Sequence, residues 1–395
     1  MYDVQDEIRN VLGFRVSGID AGLRKQPAPD LALIVADSVC AAAGVFTTNK
    51  VKAAPVLLDQ ALLADHPERI RAVLVNAACA NACTGEPGMV NARQTQAWVA
   101  QSIGCQADEV LVMSTGVIGV QLPMAKLGAG IPHAAAALSA DNWAITARAI
   151  MTTDTHPKSA SVTAHGYTIA GIAKGAGMIA PNMATLLSNV VTDAAIAPAM
   201  LRRALVEAAE KSFNRVVIDG DMSTNDTLLA LASGVSGVTI DEATYPQFLA
   251  MLTAVCESLA LKIVKDGEGV TRFITMQVKG AMNDADAKQI ATTIATSPLV
   301  KTAFYGGDAN WGRILAAAGR AGVPMDQACA SLWYDDLQLV AKGLPLAYDE
   351  GRANALAGQP AVTVTLDLGM DGGAAVVWTC DLSHDYVSIN GHYRT

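Results

Sequence analysis

Three short apolar runs in the first third of the chain, 31–36, 72–76 and 110–114, each stand between polar or glycine-containing stretches and predict buried strands. The pattern changes over 92–103, which reads as a helix that stops at Gly104. Pro198 suits a first helical turn, and Leu201, Leu205 and Ala208 continue from it as one apolar stripe. Phe248, Leu252, Val255, Cys256 and Leu259 repeat that spacing in a second helix, and a third spans 284–296 before Pro298. Near the end, 362–366 and 374–379 alternate as strands and are joined through a turn over 368–373.

No fixed-period repeat, low-complexity tract or Pro/Ser-rich linker breaks this order, so one compact α/β protein is expected rather than separate beads. Residues 279–322 are more helical than their flanks and suggest a smaller lobe beside the main sandwich. The length of 395 residues fits two or three lobes. Composition sharpens the class: 51% hydrophobic and 16% charged residues exclude an intrinsically disordered chain. The net charge of −9 argues against nucleic acid or an anionic membrane as partner, since both attract basic surfaces. Mean hydropathy is +0.30, which Ala and Val explain, because no uninterrupted apolar run approaches the roughly 18 residues of a spanning helix. The first seven residues are acidic and lack the basic and apolar segments of a secretory signal. Seven scattered cysteines without a CxxC pair read as buried free thiols in a reducing compartment, so the expected address is cytoplasmic and no metal site is expected.

Glycine-rich stretches offer little for nucleotides. Lys174-Gly175-Ala176-Gly177 lacks P-loop spacing, and no GxGxxG joins a predicted strand to a predicted helix. The acidic segment from Asp219 to Asp226 fails as a calcium loop, with Thr224 where glycine belongs and Ala230 where glutamate belongs. It reads instead as an acidic turn bonded to its own backbone. More informative is 174–193, KGAGMIAPNMATLLSNVVTD. Thr185 there could begin a strand. It could also be a nucleophile, if cleavage of the Ala184–Thr185 bond freed its α-amine as a base of pKa roughly 7.7–8.0. The residues alone leave both readings open.

KGAGMIAPNMATLL resembles the self-cleavage motif of the ornithine acetyltransferase family, the glutamate N-acetyltransferases of arginine biosynthesis. Further blocks agree in order. They include Phe46-Thr47-Thr48-Asn49, Asn81-Ala82-Cys83-Thr84-Gly85, Ser114-Thr115-Gly116, Met151-Thr152-Thr153-Asp154-Thr155 and Asp219 to Asp226. Asp266-Gly267-Glu268-Gly269, Asn310-Trp311-Gly312-Arg313 and the terminal Ile389-Asn390-Gly391-His392-Tyr393-Arg394-Thr395 follow, so the resemblance covers nearly the whole chain. One departure is the stretch Val75 to Ala80, where the family more often shows Ser-Gly-Asn.

The resemblance implies a mixed α/β (α+β) layered sandwich, with stacked sheets between helices and a smaller late lobe at about 279–360, of the self-processing N-terminal-threonine type. Cleavage between Ala184 and Thr185 would give an α chain, 1–184, and a β chain, 185–395, sharing one core and assembling as an α2β2 heterotetramer. Thr185 would carry the acetyl group from N-acetylornithine to glutamate in a ping-pong cycle. Thr115 and Gly116 would form the oxyanion hole, and Thr152, Lys174, Thr185, Glu268, Asn390 and Thr395 would bind substrate. Lys174 would serve a carboxylate or the acyl group, and Glu268 an ammonium. Each has an ordinary counterpart: a strand-end turn at Ser114-Thr115-Gly116, a solvated lysine, a turn glutamate, a frayed C-terminus. Asp219, Asp221, Asn225, Asn310 and Arg313 are expected as scaffold, and no histidine is given a role. The family implies no cofactor and no metal; its members divide by whether acetyl-CoA is also accepted as co-substrate, and which kind this is stays open here. The alternatives are a self-processing amidase or aminopeptidase of related fold, such as the β-peptidyl aminopeptidases, and an uncleaved, non-catalytic scaffold.

Overall fold

The computed structural model describes residues 2–9, 11–180 and 186–392. The chain forms two compact units, one of Met1–Met178, Asn182–Asn214 and Asp221–Ile263, the other of Ile179–Pro181, Arg215–Gly220 and Val264–Thr395.

The first unit holds β1 (Phe14–Ile19), β2 (Leu31–Phe46), α1 (Ala54–Asp65), β3 (Ile70–Asn76), α2 (Gly85–Ile103), β4 (Val110–Ser114), α3 (Met124–Ala136) and α4 (Trp143–Ala149). It continues with β5 (Lys158–Ala164), β6 (Tyr167–Lys174), β7 (Leu187–Thr192), α5 (Pro198–Lys211), β8 (Thr227–Ala232) and α6 (Tyr245–Lys265). Hydrogen bonding runs in the order β4-β3-β2-β8-β7-β6-β5, with β1 added on β2. The apolar run at 31–36 is a strand as expected, but it extends ten residues further, to Phe46. Its buried run breaks at the exposed Asp37, Ser38 and Val39. Before the break β2 pairs with β1 and β3; after it Cys40 still faces Ile70 of β3, and from Ala41 the strand pairs with β8. A strand that bends this way passes from one sheet to the next and lets the two stack.

Alternation along the strands then sorts the side chains. Ala32, Ile34, Val73 and Val75 share a core with Ala170, Ile172, Leu187, Val191, Leu229 and Leu231, which fills the space between the two sheets. Their neighbours Leu31, Leu33, Val35, Leu74 and Val112 turn the other way, against Val99 of α2 and Leu127 and Ile131 of α3. On the far sheet, Leu259 of α6 lies where a side chain at Gly171 would point, and the Phe248 ring sits 6.0 Å from that of Tyr167. The result is helices, two stacked sheets, and helices again. Of the described helices, α6 alone is long and apolar enough to cross a membrane, with a mean hydropathy of 1.6. Phe248, Leu252, Val255, Leu259 and Ile263 are nevertheless buried in the core, each contributing about 1.5–3 kcal/mol.

The second unit contains β9 (Phe273–Ala281), α7 (Asp284–Ala295), α8 (Pro298–Gly306), α9 (Trp311–Gly319), β10 (Ser331–Tyr334) and β11 (Leu337–Ala341). After these come β12 (Leu344–Pro345), α10 (Glu350–Ala357), β13 (Ala361–Asp367), β14 (Gly373–Cys380) and α11 (His384–Gly391). The Asn283 side chain accepts the Asp286 N–H and caps α7, which ends before Pro298 as the sequence predicts. The two late alternating strands are present, but their connecting turn does not make them partners. β9 lies between them, parallel to β13 and antiparallel to β14. The reason is apolar: Ile274, Met276 and Val278 of β9 belong centrally in the core that α7 and α9 cover.

All seven cysteines are free thiols. Cys40, Cys79, Cys256 and Cys380 are buried as expected, and burial pushes the Cys40 and Cys256 thiols up to about 12. Cys83 and Cys329 are exposed, contrary to that expectation, because each lies in a connecting loop or short turn outside the sheets.

Candidate active site

Strand ends build the first group of expected site residues. β4 ends at Ser114, whose hydroxyl donates to Asn76 Oδ1 at 2.6 Å, and whose carbonyl accepts the Asn225 side-chain amide at 2.8 Å. The same amide donates to the Ala80 carbonyl at 2.7 Å, so Asn225 ties the end of β4 to the neighbouring loop. Thr115 and Gly116 follow at once. The Thr115 N–H donates to the Asn76 carbonyl at 3.0 Å, and the Val117 N–H to the Ala78 carbonyl at 3.1 Å. Between them the Gly116 N–H has no acceptor among the described residues. Gly116 has φ +133°, and a Cβ there would lie 2.2 Å from the Ala78 carbonyl carbon. Only glycine lets the two backbones approach this closely.

Lys174 closes β6 and reaches the same place. Its side chain is buried, not solvated, and Nζ donates to Thr115 Oγ1 at 3.3 Å. Behind it stands a carboxylate that sequence reading left without a role. Asp154 Oδ1 accepts Lys158 Nζ at 2.6 Å and the Gly175 N–H at 2.6 Å. Its Oδ2 accepts the Thr152 N–H at 2.9 Å. Burial alone would raise the Asp154 carboxyl, but the charges of Lys174 and Lys158, with the Gly175 N–H, bring it down to about 2. Three chain segments, carrying Thr152, Lys158 and the Lys174-Gly175 turn, are therefore fixed on one buried anion.

In the second unit, Glu268 is buried and its Oε2 accepts the Asn390 side-chain amide at 2.7 Å. That amide also donates to the Tyr386 carbonyl within α11. The Ser383 hydroxyl caps α11 and donates to the Gly269 carbonyl at 2.6 Å, which holds the Glu268 loop against the helix. Asp381 accepts the N–H groups of Thr271 and Arg272 and the Thr271 hydroxyl, at 2.9, 3.0 and 2.5 Å. Glu268 and Asn390, far apart in sequence, thus form one hydrogen-bonded pair.

The scaffold residues behave variously. Asp219 Oδ1 accepts the Ile179 N–H at 2.9 Å, and Oδ2 accepts the Tyr386 hydroxyl at 3.1 Å. Asn310 caps α9 by accepting the Arg313 N–H, while the Arg313 guanidinium donates to the Leu299 carbonyl. His392 is exposed, and its ring Nδ1 lies 2.8 Å from the Ser388 carbonyl of its own helix. Ala184, Thr185 and Thr395 lie outside the described residues. Among the described residues, no group of three His, Cys, Asp or Glu side chains is arranged to hold a metal ion.

Thr115, Gly116 and Lys174 thus gather a backbone N–H, a hydroxyl and an ammonium, a set suited to a developing oxyanion or a carboxylate, while Thr152 is held by its N–H on Asp154. The sequence profile of the ArgJ family matches residues 15–395. A Geobacter sulfurreducens protein named arginine biosynthesis bifunctional protein ArgJ is 51% identical over 394 residues, covering 98% of this chain and all of that one. A mitochondrial protein of the same name from Uncinocarpus reesii is 47% identical, covering 97% and 92%. Among solved structures, an ArgJ crystal structure from Bacillus halodurans is 38% identical with a TM-score of 0.49, covering 50% of this chain and 95% of that one. An ornithine acetyltransferase from Mycobacterium tuberculosis, complexed with ornithine, is 38% identical with a TM-score of 0.44, covering 47% and 100%.

Proposed function

This chain belongs to the ArgJ family, and we propose that it is a self-cleaving acetyltransferase of arginine biosynthesis, moving acetyl from N-acetylornithine to glutamate. The observation that carries the reading is the buried Thr115–Lys174 contact next to an unused Gly116 N–H. That grouping supplies polarising donors within a chain whose family match is nearly complete.

In maturation, Thr185 Oγ gives up its proton and bonds to the Ala184 carbonyl carbon. The C–N bond breaks, and the departing nitrogen takes a proton to become the Thr185 α-amine. Water then splits the resulting ester, leaving a carboxylate on Ala184 and restoring the Thr185 hydroxyl. The α chain 1–184 and β chain 185–395 stay together, and two copies of each make the α2β2 assembly. The freed amine next serves as base for the same hydroxyl. Thr185 Oγ attacks the acetyl carbonyl of N-acetylornithine, ornithine leaves with the proton, and the glutamate amine takes the acetyl group from the ester.

Thr115 Oγ1 and the Gly116 N–H would stabilise the oxyanion in both half-reactions, with Lys174 holding Thr115 or a substrate carboxylate. Glu268, oriented by Asn390, would receive a substrate ammonium, and Thr152 and Thr395 would add polar contacts. A cytoplasmic address belongs to the same proposal. The test is a denaturing gel with N-terminal sequencing beside an acetyl-transfer assay. Two fragments are expected, the second beginning Thr-Leu-Leu-Ser, with N-acetylglutamate formed from N-acetylornithine and glutamate. A wild-type chain that stays whole sinks the mechanism, and hydrolysis without transfer would make the protein an amidase.

A further inference from the structure

β4 is the last strand of its sheet, with β3 on one side and none of the described strands on the other. The Thr115 N–H bond to the Asn76 carbonyl fixes which way its backbone faces. Leu111, Met113 and Thr115 turn their polar groups toward β3, and Val110, Val112 and Ser114 turn theirs away. Side chains take the place of the absent strand. Gln96 of α2 donates Nε2 to the Val110 carbonyl at 2.6 Å, and Asp59 of α1 accepts the Val112 N–H on Oδ1 at 3.0 Å. Asn225 completes the row by donating to the Ser114 carbonyl at 2.8 Å. All three side chains are buried, and every residue in this row belongs to the first unit.

Gln96 and Asn225 are ordinary amide donors, but a carboxyl at 59 is a costly acceptor. Its Oδ2 is buried with no partner among the described residues. For stability the exchange is poor, since it pairs one buried N–H and orphans one buried oxygen. For placement it is good. Val112 stands three residues before Thr115 on the same short strand, so a shift at one is carried to the other. The turn that follows has no slack to absorb such a shift, because Gly116 lies too close to the Ala78–Cys79 peptide to admit even a Cβ. A misplacement of about 1 Å in a catalytic group can cost about 10²-fold in rate. We propose that Asp59 is a positioning residue for acetyl transfer, anchoring β4 at Val112 so that Thr115 Oγ1 and the Gly116 N–H meet the developing oxyanion. This rests on the oxyanion reading given above and extends it to α1.

The test measures kcat and KM for acetyl transfer per cleaved chain, with melting temperatures alongside. Asp59→Leu removes the acceptor and should lower kcat about tenfold or more, while KM changes by less than about twofold. Asp59→Asn keeps an oxygen for the Val112 N–H and should restore most of the rate. If the leucine variant does not fold, Asp59→Ala replaces it and is read the same way, since its space admits a water that pairs the N–H without anchoring it. Leu62→Ala, a cavity in the same helix, controls for stability and should lower the melting temperature without lowering kcat. A double-mutant cycle with Gly116→Ala, which displaces the turn itself, closes the argument. If Asp59 acts through that turn, its replacement costs much less in the Gly116→Ala background than alone. Wild-type kcat in Asp59→Leu overturns the proposal. So do a loss that asparagine does not restore, an equal loss in Leu62→Ala, and losses that multiply fully in the double variant. Undiminished kcat in Gly116→Ala removes the oxyanion reading and this inference with it, whereas a damaging Gly116→Ala beside a harmless Asp59→Leu removes this inference alone.

Discussion

Lys158 Nζ stands 2.6 Å from Asp154 Oδ1, and both side chains are almost completely shielded from water. Such a pair gains little over a well-packed apolar replacement of both members, but removing one partner strands the other charge. Lys158→Met should therefore destabilise the fold by about 3–5 kcal/mol in urea unfolding, and acetyl transfer should fall with it. An unchanged unfolding midpoint would show that the pair is not holding the Thr152 and Lys174 segments.

The same pair gives a signed pH dependence. The Asp154 carboxyl is held near 2, below its ordinary range, so its stabilisation is fully present above about pH 4 and is lost as pH falls toward 2. Melting temperatures measured between pH 7 and pH 2 should drop more steeply in the native chain than in Asp154→Asn. Parallel curves would contradict the assignment.

Asp59 behaves in the opposite sense. It is buried in α1, where Oδ1 accepts the Val112 N–H at 3.0 Å and Oδ2 has no partner among the described residues. Burial pushes its carboxyl well above the usual range. A raised acid binds its proton more tightly folded than unfolded, so stability declines as pH rises above the unfolded value. Asp59→Asn should raise the melting temperature at pH 7 by roughly 2–4 °C and leave it unchanged near pH 4. An equal change at both pH values would mean the charge is not the cause.

At Gly116 steric and chemical demands coincide. A methyl group there would lie 2.2–2.5 Å from the Ala78–Cys79 peptide, so Gly116→Ala must displace the Thr115-Gly116 turn. The expected result is a loss of about 10²–10³ in the rate constant for acetyl transfer, with a much smaller change in KM. Full activity in this variant would exclude an oxyanion role for the turn.

Glu268→Gln keeps the bond partner for Asn390 but removes the charge. If Glu268 receives a substrate ammonium, KM for N-acetylornithine should rise about tenfold or more while the melting temperature stays put. Unaltered KM for both substrates would remove Glu268 from the binding set.

Local structure was readable wherever the chain obeys a simple period. β4 occupies 110–114 as predicted, and α5 starts at Pro198. The prediction for 31–36 stopped short because the strand's second half is rich in alanine and follows three exposed residues, so it lacks a contrasting pattern. The pairing of β9 between β13 and β14 was invisible for another reason. Local turn chemistry reports which segments adjoin in sequence, whereas the centre of a sheet goes to the strand with two apolar neighbours to satisfy. In the candidate site, motif resemblance brought Thr115 and Lys174 to attention, but their contact spans 59 residues and has no periodic signature. Asp154 appeared inside a matched block without any role, because its importance lies in what it neutralises, Lys158 and Lys174, and neither contact is encoded by spacing alone.

The strand order β2-β8-β7-β6-β5 has a consequence for inheritance and assembly. A cut after residue 184 would leave β2, β5 and β6 in one product and β7 and β8 in the other, with the latter pair interleaved among the former. Neither product could fold as a free-standing piece first and dock later. The intact translated chain would serve as its own template, fixing a one-to-one stoichiometry without any encounter between subunits. Dilution would not reverse such a union, since separation would mean opening the β2–β8 and β6–β7 ladders together.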